Sequence, residues 1–243
     1  MTRRDVLSTL AAGGALAATS GLLKADPHPS SDSAQGPAKV PPVLVPKPLP
    51  FQAGKLHGIS ERLITSHHDN NYAGAVKNLN AVRMELARTT KETPGFLVGG
   101  LRGKELAYAN SMTLHEAYFG NLGGDGKVGG GIAKAITVAW GSLGAWEEAF
   151  KAVGMSLAGG SGWAILDYHL PTGELRISWA GDHTQTLASA LQLLVMDLYE
   201  HAYQMDYGAA AGKYVEAFFT NLDWDEVNRR FDLAIRAATA MNR

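Results

Sequence analysis

The stretch Asp197-Leu198-Tyr199-Glu200-His201-Ala202-Tyr203 follows the apolar run Leu193-Leu194-Val195-Met196 and places a carboxylate and an imidazole four positions apart. Two further histidines stand in helix-like contexts far upstream, His67 within 66–72 and His115 within 114–119. Three imidazoles and one carboxylate form a ligand set that suits iron or manganese. These four residues therefore predict one metal site that is assembled from distant parts of the chain. The alternative, for each histidine taken alone, is a hydrogen-bonded core residue.

The composition excludes several kinds of protein. The chain has 243 residues, 46% hydrophobic and 19% charged, as in ordinary soluble globular proteins. A formal net charge of -1 gives no indication of nucleic acid or an anionic membrane as a partner. The absence of cysteine excludes disulfides, thiolate ligands and a cysteine nucleophile. No hydrolase elbow or P-loop motif is present, and the glycine-rich stretch 120–131 lacks the Lys-Ser/Thr that would hold phosphate, so it is predicted to be a loop.

The first 25 residues are interpreted as an export signal and not as part of the fold. Arg3 and Arg4 precede a weakly apolar run of small residues at 10–23, the pattern of a twin-arginine signal. Cleavage near Ala25 would leave a periplasmic or secreted protein without a membrane segment. The alternative is a cytosolic protein with a frayed apolar tail. Residues 26–50 are rich in proline and are predicted to be an extended linker.

The remaining sequence predicts an α+β protein. An N-terminal antiparallel helical hairpin domain is expected at 51–125, and a C-terminal α+β domain with a three-stranded antiparallel sheet at 126–243. Ser60 should cap a first helix that runs to about Thr90, and a second helix is expected over about 104–121, after a connection at 95–103. Strands are expected at 163–168, 174–179 and 191–196, and helices near 132–143, 145–154, 209–220 and 225–240.

The order His67, His115, Asp197-x-x-x-His201 resembles that of the iron/manganese superoxide dismutase family. Matching segments cover most of the chain after about residue 46 and include 66–80, Gly160-Ser161-Gly162-Trp163, 200–203, Asp206-Tyr207, Tyr214 and Trp224. The resemblance implies one iron or manganese ion per subunit, held by these four ligands. It also implies that the ion cycles between M³⁺ and M²⁺ while superoxide is converted to dioxygen and hydrogen peroxide.

The chain departs from the family pattern around the expected metal site. The family's glutamine beside the metal-bound solvent comes either from the second helix, where this chain has Ser111, or from the hairpin before the third strand, where we place His183. The alternative for His183 is an exposed histidine in a turn. At the substrate gateway, Ala75 replaces a tyrosine, and Asn71 and Gln204 replace a histidine and a tyrosine that meet across the dimer interface. The two amides could pair there instead.

The resemblance assigns further residues to the surroundings of the ion. Tyr72 is proposed from helical spacing instead: it lies about one turn before Ala75 and is expected to lend a substitute hydroxyl, so His183 and Tyr72 are the predicted catalytic groups. Glu200 should reach the ligand histidine of a partner subunit, which implies a homodimer. Tyr118, Trp163 and Tyr199 complete the expected surroundings.

We therefore expect an active but atypical dismutase that acts on superoxide as a homodimer. The first alternative is a non-catalytic or weakly active metal-binding relative of the same fold. The missing gateway groups favour it, and Glu200 and His183 count against it. The second alternative is a metal-free structural or interaction domain on the same scaffold.

Overall fold

Two long helices form the N-terminal part of the computed structural model, which describes residues 40–241. The first begins as α1 (Glu61–Ser66), passes through a π-helical segment (His67–Tyr72) and continues as α2 (Ala73–Ala87). The second is α3 (Gly95–Gly120), which packs against α2 after a short connection, as in an antiparallel hairpin. The predicted signal 1–25, the linker residues 26–39 and the last two residues lie outside the described residues.

The first helix begins where the sequence predicts. The Ser60 hydroxyl accepts a hydrogen bond from the backbone N–H of Leu63 at 3.1 Å, which confirms Ser60 as the N-cap. The π-helical segment was not predicted. Its wider turn shifts the buried face of the helix, and both His67 and Tyr72 are buried.

The connection predicted at 95–103 is wrong, because these residues are the first turns of α3. The stretch is rich in glycine, and each glycine disfavours a helix by about 1 kcal/mol relative to alanine. Pro94 sets the start, since its carbonyl accepts from the N–H groups of Leu97 and Val98 at 3.0 and 3.2 Å. Extending a helix that already exists is much easier than nucleating one, so the packed part of α3 propagates through the glycines.

The C-terminal part confirms the predicted α+β class with three antiparallel strands, the first of which along the chain lies between the other two. A turn at 170–173 joins the first two strands, and the N–H of Gly173 donates to the carbonyl of His169 at 2.8 Å. The predicted helices are present, together with one short helix at 204–207 that was not predicted. The elements are α4 (Gly130–Trp140), α5 (Leu143–Met155), β1 (Trp163–His169), β2 (Glu174–Ala180), β3 (Ala190–Asp197), a 3₁₀ turn (Glu200–Ala202), α6 (Gln204–Tyr207), α7 (Ala211–Thr220) and α8 (Trp224–Met241).

The end of the predicted linker is not a free extended segment. The side chain of Asn80 on α2 accepts from the N–H of Leu44 at 2.9 Å and donates to its carbonyl at 2.8 Å. Arg83 donates to the carbonyl of Pro42 at 3.1 Å. These backbone contacts hold residues 42–44 along α2, and sequence composition alone does not reveal them.

The helical hairpin and the sheet share one core. The Asn121 side chain, just after α3, accepts from the N–H of Val195 in β3 at 2.8 Å. Arg230 of α8 donates to the carbonyls of Ala117 and Leu193 at 3.1 and 3.2 Å. These bonds fix the end of α3 against β3, where the predicted ligands lie. Within residues 40–241, no helix has both the length and the apolar character needed to cross a membrane.

Candidate metal centre

The four predicted ligands converge on one point. The Oδ2 atom of Asp197 lies 3.1 Å from Nε2 of His67, 3.3 Å from Nε2 of His201 and 3.7 Å from Nε2 of His115. The four donor atoms all lie within 4.8 Å of one another. Donors that each bind one transition-metal ion at about 2 Å lie about 3–4 Å apart. The spacing therefore fits a single ion at the centre of the cluster.

Each ligand occupies a fixed place in the backbone. His67 opens the π-helical segment, and His115 lies on α3 near its end. Asp197 is the last residue of β3, and His201 lies in the 3₁₀ turn that follows. The backbone N–H of Tyr199 donates to Oδ1 of Asp197 at 2.8 Å, which turns Oδ2 toward the imidazoles.

His115 shows that the site is shaped for a cation. Its Nδ1 donates to the carbonyl of Ser111 at 2.7 Å, so in the neutral ring Nε2 carries a lone pair. That Nε2 atom is buried and has no hydrogen-bond partner within residues 40–241. A buried acceptor without a partner costs free energy unless an ion or a donor satisfies it. An iron or manganese ion among the four ligands would do so.

The protonation states also suit metal binding. Burial lowers the pKa of His115 to about 3 and also lowers the pKa of His67, so both imidazoles are neutral near pH 7. Burial would raise the pKa of Asp197, but the charge and hydrogen bond of His201 and those of His67 hold it well below its usual range. Burial would lower the pKa of His201, and the Asp197 carboxylate raises it instead. The cluster thus offers a carboxylate and the lone pairs of His67 and His115 to a metal ion, whereas His201 must release its proton when the ion binds.

His183 lies beside the cluster, as proposed from the sequence. Its ring stacks on Tyr199 with centroids 4.9 Å apart and lies 6.3 Å from the ring of His115. Nε1 of Trp163 donates to Nδ1 of His183 at 3.0 Å. Because an indole N–H can only donate, Nδ1 must accept, and Nε2 carries the proton in the neutral ring. Burial lowers the pKa of His183, which favours that neutral form.

Tyr72 does not lend its hydroxyl to the ligands, and this part of the expectation needs correction. The hydroxyl accepts from the backbone N–H of Lys47 at 2.8 Å and donates to Oε1 of Glu116 at 2.9 Å. Burial raises the pKa of Tyr72 to about 12. The phenol belongs to a hydrogen-bond network between the chain before α1 and helix α3. Tyr72 is the last residue of the π-helical segment, whose turn is wider than that of a regular α-helix.

The aromatic surroundings are present. The ring of Tyr118 lies 5.0 Å from that of His67, and Tyr214 donates to the Tyr118 hydroxyl at 3.3 Å. Trp163 packs edge-on to His115 at 5.1 Å. The two histidines that these rings contact, His67 and His115, are each only 1% exposed.

The residues expected at a dimer interface are not brought together within one chain. Glu200 and Gln204 are exposed, and neither makes a side-chain hydrogen bond within the described part of the chain. Asn71 is partly buried near the site and has no bond to Gln204 within residues 40–241. Their predicted roles need a second subunit and stay predictions.

A cleft of about 400 Å³ between the two long helices leads to His115, His183 and His201. Ala75 and Ser111, the small residues noted from the sequence, lie in its walls. Tyr108 and Lys104 also line the cleft, and neither was predicted as a site residue from the sequence. Helical spacing could have found them, because Tyr108 precedes His115 by two turns of α3.

Comparison with known proteins agrees with this geometry. Residues 128–230 match the family described as iron/manganese superoxide dismutases, C-terminal domain. The chain is 47% identical over 191 residues to an iron superoxide dismutase of Cupriavidus metallidurans, covering 78% of this chain and 97% of that protein. The chain belongs to the iron/manganese superoxide dismutase family.

Among relatives of lower sequence identity, some are named as iron enzymes and others as manganese enzymes. The chain is 34% identical to an iron superoxide dismutase of Aquifex pyrophilus, over 76% of this chain and 90% of that protein. It is also 34% identical to a manganese superoxide dismutase of Haloferax volcanii, over 77% and 95%. The family predicted from the ligand order is therefore confirmed.

Proposed function

We propose that the protein is a superoxide dismutase that holds one iron or manganese ion per subunit in the cluster of His67, His115, Asp197 and His201. The observation that carries this proposal is the convergence of three imidazole Nε2 atoms within 3.1–3.7 Å of one buried carboxylate oxygen. The names and the identity of the relatives support the same activity.

The bound ion would supply a one-electron couple, through which two superoxide ions and two protons give dioxygen and hydrogen peroxide. The protein's residues set the conditions for that couple. Three neutral imidazoles and a single carboxylate leave the loaded centre positive, which attracts an anion. Trp163 holds His183 with its Nε2–H free to donate a hydrogen bond next to the centre.

The alternative of a non-catalytic relative is not favoured. The ligand set is complete, its orienting contacts from Ser111 and Tyr199 are present, and His183 lies within the site. The altered gateway residues Ala75 and Asn71 line the cleft that leads to the centre, and the four ligands still converge.

The test is to purify the protein, measure its iron and manganese, and compare its superoxide decay rate with that of an equal amount of free metal ion. We expect about one ion per chain and a rate far above that of the free ion. One ion per chain without rate enhancement would reject the dismutase. Metal near zero after native expression would support the metal-free scaffold.

Substitution of His183 can distinguish a catalytic centre from a site that only binds metal. We expect His183→Ala to keep its metal and to lose roughly 10- to 100-fold in rate, since groups just outside the ligands commonly matter to that extent. His183→Gln, which keeps a donor, should recover part of the rate. An unchanged rate in His183→Ala would remove His183 from the mechanism.

We also propose that two subunits form a homodimer around this site. The side chain of His201 is 27% exposed, whereas the other ligands are buried. Exposed Glu200 adjoins it and has no partner within residues 40–241, so a second copy could cover both. Sedimentation of wild type and Glu200→Gln tests this, and a monomeric wild type would reject it.

Finally, we propose export by the twin-arginine route to the periplasm or beyond, on the basis of Arg3, Arg4 and the apolar run at 10–23. Replacing both arginines by lysine should retain the protein in the cytoplasm. Equal export of the variant and the wild type in cell fractionation would reject the signal.

A further inference from the structure

We propose that Tyr108 and Lys104 form the anion entrance of the metal centre. In this proposal, Lys104 draws the anion to the cleft and the Tyr108 hydroxyl donates a hydrogen bond to it on the way to the ligands. The proposal rests on the proposed function, because it assigns these residues to the substrate path of the same site.

The position of Tyr108 follows from the geometry of α3. It precedes Ser111 by three residues and His115 by seven, so all three share one face of the helix. That face forms one wall of the cleft of about 400 Å³, which also reaches His183 and His201. A phenol at Tyr108 is therefore on the route from solvent to the ligands.

The hydroxyl of Tyr108 is free to bind. The side chain is partly buried, and its hydroxyl makes no hydrogen bond with any other residue in 40–241. By contrast, the amide of Asn70, which also lines the cleft, already donates to the carbonyl of Ser66 at 3.0 Å. Ala75 and Ser111 line the same cleft as Tyr108 and contribute only small side chains to its walls.

Lys104 provides the charge at the outer end of the cleft. It lies one helical turn before Tyr108 and is exposed. Among the cleft-lining residues it is the sole lysine or arginine, and it has no ion-pair partner within the described residues. An unpaired cation at the mouth of a concave site raises the local anion concentration and the association rate.

The test uses azide, a small inorganic anion that binds ferric ions, followed by absorbance on the iron-loaded protein. We expect Tyr108→Phe to weaken azide binding about tenfold, the effect of losing one hydrogen bond to a charged group. Lys104→Gln should weaken it about threefold at low ionic strength, and the difference should vanish near 0.5 M salt because of screening.

Two variants serve as matched controls. Tyr168→Phe removes another partly buried hydroxyl that has no hydrogen bond within residues 40–241, and Lys134→Gln removes another exposed lysine, on α4. Neither residue lines the cleft, so azide affinity should stay at the wild-type value. Metal content, measured for every variant, separates a change in binding from loss of the ion.

The outcomes are distinct. The proposed entrance would be wrong if Tyr108→Phe bound azide with wild-type affinity at both ionic strengths. It would also be wrong if the effect of Lys104→Gln did not depend on salt. The expected azide changes in a protein that does not remove superoxide would reject the proposed function while supporting the entrance. If the protein removes superoxide but neither substitution changes its azide affinity, the proposed function is supported and the anion entrance is rejected.

Discussion

Two carboxylates, Asp197 and Asp167, are fully buried in the same three-stranded sheet and behave in opposite ways. Asp197 accepts hydrogen bonds from its neighbours, and His201 and His67 hold its pKa well below the usual range against the effect of burial. Asp167 has no hydrogen-bond partner for either oxygen within residues 40–241, and burial raises its pKa to about 6.

The difference shows that partners, and not burial, decide what a buried carboxylate does. Burial disfavours the charged form of both groups. Arg176 lies directly across the strand pair from Asp167, but its guanidinium bonds Glu174 at 2.7 Å. The nearby Ser178 hydroxyl lowers the pKa of Asp167, but by less than burial raises it. The hydroxyl and the carboxylate do not lie in hydrogen-bonding geometry. Asp197 is thus prepared for a cation, whereas Asp167 reduces stability.

The largest effect is expected for Asp197→Asn, which keeps the shape of the side chain and removes its charge. Loss of an anionic ligand should lower metal affinity by more than about 100-fold, since even groups outside the ligand set contribute about 10–100-fold. Superoxide removal should fall in proportion to the metal lost. Metal analysis after dialysis against a chelator measures the effect.

Asp167→Asn is the control for that experiment. It makes the same chemical change in the same sheet, and we expect full metal content and an unchanged rate. Equal metal loss in the two variants would mean that the two carboxylates do not differ in the way the structure indicates.

Most of the metal centre could be predicted from the sequence, because the ligand residue types are visible there and their order matches that of a known family. The Asp197-x-x-x-His201 pair is visible directly, and His67 and His115 follow from the family order. His183 lies in a loop without periodicity, so only the family resemblance pointed to it.

The features that could not be predicted from the sequence depend on packing between residues far apart in the chain. The Tyr72 hydroxyl, at the end of the π-helical segment, bonds Glu116 on α3, and α3 itself extends through its glycines to Gly95. The alternating pattern at 163–168 predicts a strand but does not show that Asp167 is left without a partner. Tyr108 was missed because its role depends on the cleft between the two long helices.

The next effect concerns stability. Asp167→Asn should stabilise the protein against unfolding by about 2–3 kcal/mol at pH 8, because it removes a buried charge whose pKa is raised by about two units. Urea unfolding of wild type and variant, in the same metal state, measures the difference. A destabilised variant would show that Asp167 has a favourable partner when charged.

The stabilisation by Asp167→Asn should depend on pH, and the raised pKa of Asp167 fixes the direction of that dependence. The pKa of Asp167 is about 6 in the folded protein against an ordinary value of 3.8, so the folded state binds the proton more tightly. The contribution of the protonated group is fully present below about pH 4 and is lost as pH rises to about 6. The advantage of Asp167→Asn should therefore be near zero at pH 4, grow between pH 4 and 6, and stay constant above. A difference that does not vary over this range would assign the stabilisation to another cause.

The smallest effect is expected at Tyr72, a buried polar group whose hydroxyl does have partners. Tyr72→Phe removes the bonds to Glu116 and to the N–H of Lys47, which should destabilise the protein by about 1 kcal/mol. The dismutase rate and its pH profile should stay close to wild type, because the hydroxyl is directed away from the ligands. If the rate fell tenfold with metal content unchanged, Tyr72 would act in proton delivery after all. In that case, the hydroxyl would have to leave Glu116 during turnover, and Glu116→Gln should then change the same pH profile.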